Sequence, residues 1–168
     1  LKGKPGARIA ILDGAPTDSF ATDLKKGYTE VLGSEGKGVD KVVEQAVPNW
    51  DGQKALTIYE QMLQAANKPF DGTLAANDTI ANSTIAARKA RRLGMIPTSG
   101  LDATVQGVQH ILAGEQSFTI YFSIKDQATR AANLAMAIAR GQRPTGGFTS
   151  SRSRARCGNP PGDRSLNS

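Results

Sequence analysis

Short apolar runs alternate along this chain with stretches in which apolar residues return every three or four positions. Residues 8–13, Arg-Ile-Ala-Ile-Leu-Asp, form an apolar run that stops at Gly14 and predict a buried strand. Pro16-Thr17-Asp18 then supplies turn and cap chemistry, and Phe20, Leu24, Tyr28, Val31 and Leu32 recur at helical spacing. Residues 33–38 read as a loop and 39–47 as a second strand, with a turn at Pro48-Asn49. Asp51 can cap a helix running through Asn67, whose inward face is Ala55, Leu56, Tyr59 and Leu63. Residues 70–76 form a third strand, and Asp78 opens a helix to about Leu93 that stops at Gly94. Residues 95–101 predict a fourth strand, irregular because Pro97 cannot donate to a ladder. A helix over 102–112 ends at Gly114, residues 117–124 are β-prone, and an Ala-rich helix over 125–140 ends at Gly141. This strand–helix alternation predicts an α/β fold: an open parallel sheet with helices on both faces.

Two strand ends carry a small polar cluster that flows straight into a helix: Ala76-Asn77-Asp78 and Gly100-Leu101-Asp102. In an open parallel sheet, ligands bind outside the carboxyl ends of the strands. An amide and a carboxylate at one rim suit a ligand rich in hydroxyls, which donate and accept together. Asp78 reads as the N-cap, leaving Asn77 toward the rim. Asp102 reads either as a second N-cap or as a carboxylate accepting two hydroxyl hydrogen bonds. Trp50, the one tryptophan, lies in a polar loop and can offer a flat apolar wall to the C–H face of a sugar ring. Asp18 reads as a cap by residue type, and Ser19 can donate at the same helix start.

Composition narrows the functional classes. Only 5% of the 168 residues are aromatic, so Ala, Val, Leu and Ile carry the packing. The net charge is +6, but residues 146–168 hold four arginines against one aspartate, so half of that charge belongs to the tail. The body is only mildly basic, which argues against a nucleic-acid partner. Arg88, Lys89, Arg91 and Arg92 read as a solvated helix end, where cations complement the macrodipole. With one cysteine and one histidine, no Ser/His/Asp order and no glycine-rich phosphate loop, neither a metal site, a cofactor site nor an enzyme is indicated. The chain shows no run of roughly 18 apolar residues and no leader pattern.

Asp13-Gly14-Ala15-Pro16-Thr17-Asp18, Lys26-Gly27-Tyr28, Ala76-Asn77-Asp78, Gly100-Leu101-Asp102-Ala103, and Ile111-Leu112-Ala113-Gly114-Glu115-Gln116 with Thr119-Ile120-Tyr121 occur in an order that resembles the C-terminal part of periplasmic sugar-binding proteins of ABC transporters, of the D-xylose-binding type. The resemblance runs from about Arg8 to Pro144. It implies a lobe that closes on a monosaccharide, a pentose such as xylose, with Asn77 and Asp102 bonding the sugar and Trp50 lining the pocket. It also implies a transporter permease as partner and a periplasmic or extracytoplasmic location, lipid-anchored or secreted. Where the family often has Asn and Lys, Phe20 and Phe122 stand here, and each removes a polar sugar contact. By this resemblance, residues 1–116 are the sugar-binding lobe and 117–145 a return strand and helix that complete another lobe. The Ala-rich stripe of that helix predicts self-association. Residues 146–168 predict a disordered basic tail. The effector-binding core of a LacI-like regulator and a non-binding truncated remnant remain as alternatives.

Overall fold

Apolar alternatives to water exist on both sides of Ala7–Asp13 (β1), and six of its seven residues are buried. A strand with two covered faces lies in the middle of a sheet. The structure, a computed structural model, describes residues 6–35 and 39–142. In it β1 pairs in parallel with Val39–Ala46 (β2) on one side and Gly72–Ala75 (β3) on the other. The order β2-β1-β3 is carried further by two single parallel bridges, Thr73 to Thr98 and Leu101 to Ile120. The predicted fourth and fifth strands therefore shrink to bridges. A side chain extends the pairing beside the first bridge: the Ser99 hydroxyl accepts from Ala75 N–H at 2.9 Å and donates to Ala75 C=O at 3.0 Å.

The helices are Ser19–Glu35 (α1), Gly52–Ala65 (α2), Asp78–Ala90 (α3), Val105–Leu112 (α4) and Ile124–Ala139 (α5). Right-handed crossovers between parallel strands put α1 on one face and α2, α3 and α4 on the other. The core lies between β1, β3, α2 and α3, around Leu12, Tyr59, Phe70 and Ile80. Asp51 caps α2 as expected, accepting from Lys54 N–H at 3.0 Å. The helix ends at Ala65 rather than Asn67, because Ala66 is extended. Its fully inward residues are Ala55, Tyr59 and Met62, with Leu56 and Leu63 only packed at the margin. α1 continues past Gly33, which the sequence assigned to a loop.

The basic cluster is not simply a solvated helix end. Arg88 is 3% exposed; its guanidinium donates to Gly94 C=O and, at 3.4 Å, to the Tyr59 hydroxyl. It fastens the C-terminal end of α3 to the turn after it. Lys89 pairs with Glu115 at 2.6 Å, and Arg91 donates to Glu60 C=O at 3.2 Å. Three of the four cations thus have protein partners.

The chain divides into two compact units after Phe122. In the second, α5 begins at the Ser123 cap, whose hydroxyl accepts from Asp126 N–H at 3.3 Å. No residue of α5 is buried, and Ile124, Leu134, Met136 and Ile138 stay exposed. The expected tail at 146–168 lies outside the described residues. No helix among the described residues is long and apolar enough to cross a membrane.

Candidate functional site

All five candidate residues lie at the carboxyl end of the sheet. Val47 N–H bonds to Asp13 C=O and Ala76 N–H to Leu12 C=O, both at 3.0 Å, so the loops after β1, β2 and β3 leave from one rim. Asp78 N–H bonds to Leu101 C=O at 2.9 Å, which brings the Asn77-Asp78 turn against Leu101-Asp102.

The cap lies one place earlier than the sequence reading put it, on Asn77 rather than Asp78. Asn77 is the N-cap of α3: its extended backbone turns the chain, and its Oδ1 accepts from Ile80 N–H at 2.9 Å. Asn77 is half-buried, and its side-chain NH2 keeps two donors beyond the cap bond. Asp78 is fully buried. Its Oδ2 accepts from Thr104 N–H at 2.8 Å and the Thr104 hydroxyl at 3.1 Å, and its Oδ1 accepts from Gln116 Nε2 at 2.9 Å. Gly100 and Gly107 flank it. A Cβ on Gly100 would stand 2.1 Å from Oδ1, and one on Gly107 would stand 2.3 Å from Oδ2. These two glycines leave the space that the carboxylate occupies.

This knot fixes the loop that carries Asp102. Asp102 is not a helix cap; Thr104 caps α4, accepting from Gly107 N–H at 3.0 Å. Asp102 has φ 100°, a left-handed conformation that costs an L residue energy and persists only when its surroundings hold it. Asp102 N–H bonds to Ile120 C=O at 2.9 Å, and Ala103 N–H bonds to the Thr119 hydroxyl at 3.1 Å. The side chain is exposed at the rim. Partial burial, and then the Asp78 charge behind it, push the Asp102 carboxyl above the usual range.

Asp18, Trp50 and Ser19 form the other part of the rim. Asp18 Oδ1 accepts from Phe20 N–H at 2.9 Å, closing the first turn of α1, and Oδ2 accepts from the Trp50 indole N–H at 3.2 Å. Ser19 opens α1 and is exposed. The Trp50 ring lies against the backbone of Gly14, where a Cβ would stand 2.1 Å from Cη2. Gly14→Ala is therefore expected to displace the indole. Its signature is a shifted Trp50 emission maximum and a stability loss of ~1–3 kcal/mol, the usual cost of overfilling a packed contact; an unchanged spectrum would show that the ring is not seated on Gly14.

Sequence reasoning missed two aromatic neighbours. The Phe20 ring stands 6.4 Å from Trp50 and 6.5 Å from Phe122. The resemblance marked Phe20 and Phe122 as departures from polar sugar contacts, but gave no sign that their rings come together. No local pattern predicts that positions 20, 50 and 122 meet. Among the described residues no group of acidic, histidine or cysteine side chains could hold a metal ion. A cavity of about 300 Å3 is lined by Arg8, Val43, Met62 and Phe70 among others, and by none of the five candidate residues.

The arrangement has relatives. Residues 1–143 match the family model described as a periplasmic binding protein domain. The chain is 36% identical over 143 residues to the D-xylose-binding periplasmic protein of Escherichia coli K12, covering 83% of this chain and 43% of that protein. The protein of the same name from Haemophilus influenzae is 33% identical over 144 residues, again covering 83% and 43%. Among solved structures, an ABC transporter periplasmic solute-binding protein from Actinobacillus succinogenes with bound D-allose superposes with a TM-score of 0.73 at 28% identity, covering 85% of this chain and 50% of that one. The chain spans less than half the length of the two curated relatives. The open parallel sheet, the ordered motifs and the family match agree: this chain belongs to the periplasmic binding protein domain family, among whose members are sugar-binding proteins of ABC transporters.

Proposed function

We propose that this chain supplies the carbohydrate-binding lobe of an ABC-transporter solute-binding protein and recognises a monosaccharide, a pentose such as xylose, for uptake. One observation supports the reading: the Asp78–Leu101 backbone bond brings the turn that holds Asn77 against the turn that holds Asp102, at the sheet's carboxyl rim. Asn77 donates to a hydroxyl oxygen, and Asp102 accepts from one or two hydroxyl hydrogens. Trp50, anchored by Asp18, supplies apolar surface, and Ser19 is placed to add a hydroxyl contact. The recognition is non-covalent, with no cofactor and no catalytic step. Residues 1–116 form the lobe, and 117–145 return toward a second lobe. The partner is a transporter permease on the extracytoplasmic side of a membrane, with the protein secreted or lipid-anchored. The exposed apolar side chains of α5 are covered by a second copy of the chain, so light scattering should report a dimer or larger, and a monomer would overturn that point.

Asp102→Ala is expected to weaken sugar binding about ten- to hundredfold, the worth of one hydrogen bond to a charged group. Calorimetry with a pentose and hexose panel up to millimolar concentration checks it. Binding unaffected by the substitution would place the sugar elsewhere.

A further inference from the structure

Asp13 ends β1 at the rim, and its surroundings do not suit a charge. The side chain is buried, and its Oδ1 has no partner among the described residues. Ile11 pairs with Glu44 and Asp13 with Ala46, so Asp13 and Glu44 stand on one face of the sheet in adjacent strands. Lys25 of α1 forms an ion pair with Glu44, and the half-buried Tyr28 of α1 feels the Asp13 charge. The cluster thus holds two carboxylates and one ammonium. We propose that Asp13 is a positioning residue for the rim: its proton latches the Trp50 turn onto the end of β1, and loss of that proton releases the turn.

The turn needs such a latch. Asn49 and Trp50 follow one another at φ 60° and φ 56°, a left-handed backbone that side-chain-bearing residues keep only where their surroundings impose it. Here the surroundings are Asp13 and its neighbour. Val47 N–H bonds to Asp13 C=O at 3.0 Å, and Trp50 N–H bonds to Val47 C=O at 3.2 Å. The indole rests on Gly14, and its N–H donates to Asp18 at 3.2 Å. With its proton in place, Asp13 donates to Glu44, which also accepts from Lys25. Without it, a buried carboxylate meets a second carboxylate, and one Lys25 ammonium serves both. Repulsion and the demand for water then act on the Asp13–Val47 bond, from which the turn hangs. Burial first, then the bond to Glu44 and the Glu44 charge, raise the Asp13 pKa from 3.8 to about 7, with Lys25 opposing, so the release falls near neutrality. On the sugar-binding reading above, a ligand that needs the seated indole is held about tenfold more weakly at pH 8 than at pH 6. The latched fraction falls between those values from about ten in eleven to about one in eleven.

Trp50 is the one tryptophan of the chain, so its emission reports the latch with no ligand present. Titrated from pH 5 to 9, the parent is expected to show one red shift with a midpoint near 7, at unchanged far-UV circular dichroism. Asp13→Asn, which keeps a donor toward Glu44, should hold the acid-side emission throughout. Glu44→Gln removes the second carboxylate and should move the midpoint to lower pH, a displacement that a merely structural Asp13 would not give. Level emission in the parent, a transition that persists in Asp13→Asn, or a loss of circular dichroism at the same midpoint would each overturn the latch. Calorimetry with D-xylose at pH 6 and pH 8 extends the test to recognition. Equal affinity at both values would overturn the link between latch and ligand. No binding at either would overturn the sugar-binding reading, with the emission titration still deciding the latch.

Discussion

Asp78→Ala is expected to cost about 3–5 kcal/mol, a large share of the roughly 5–15 kcal/mol that holds a domain of this size folded. The substitution removes one acceptor group from three donors: Thr104 N–H, the Thr104 hydroxyl and Gln116 Nε2, the last of which keeps only its bond to Phe118 C=O. It also empties a space that cannot collapse from its flanks, since Gly100 and Gly107 have no side chains to move in. Urea unfolding should show a lower midpoint at nearly unchanged slope. Asp78→Asn is the informative contrast. It keeps the shape but turns an NH2 toward one of the same donors, so its cost should be about 1–3 kcal/mol. It also removes the charge behind Asp102, so the Asp102 carboxyl should titrate closer to its ordinary range in that variant. A midpoint shift below what a surface substitution gives would mean that the knot around Asp78 does not hold the 98–104 loop.

The importance of Asp78 also shows what the sequence could and could not reveal. Strand β1, the Asp51 cap and the stop at Gly114 were legible because each depends on neighbours a few positions away. The choice of Asn77 over Asp78 as the cap was not, since both are good cap residues and a one-place shift leaves the composition of the turn unchanged. The burial of Asp78 depends on Gly100, Gly107 and Gln116, whose arrival is a property of the whole sheet. The same holds for Arg88, whose charge suggested solvent while the Gly94 carbonyl and Tyr59 hydroxyl hold it inside. The rim was placed correctly by the alternation of strands and helices. The approach of Phe20 to Phe122 was not legible, because the two rings meet only through tertiary structure.

Asp13→Asn is expected to stabilise the protein at alkaline pH and to flatten its pH dependence. Asp13 ends β1 and is 6% exposed, and its Oδ1 has no partner among the described residues. Glu44 on β2 and Lys25 on α1 face it, and the Tyr28 hydroxyl senses its charge. Lys25 and Glu44 are joined in an ion pair. Burial first, then the proton shared with Glu44 and the charge of Glu44, push Asp13 from 3.8 up to about 7, with Lys25 opposing. Glu44 moves the opposite way, lowered as it accepts from Asp13 and from Lys25. The folded protein thus binds the Asp13 proton more tightly than the unfolded chain does. Its stabilising contribution is complete below pH 4 and is lost as pH rises to 7, a change on the order of 4 kcal/mol at 1.36 kcal/mol per pH unit. Glu44 acts below its ordinary range with the reverse sign, losing stability as it is protonated. Melting temperature should therefore fall between about pH 4 and 7 in the parent. In Asp13→Asn, whose amide keeps a donor toward Glu44 without a titrating proton, it should stay level across that window and exceed the parent's at pH 8. A parent profile already level from about pH 4 to 7 would mean that Asp13 is ionised at no cost, with Lys25 rather than Glu44 setting its environment.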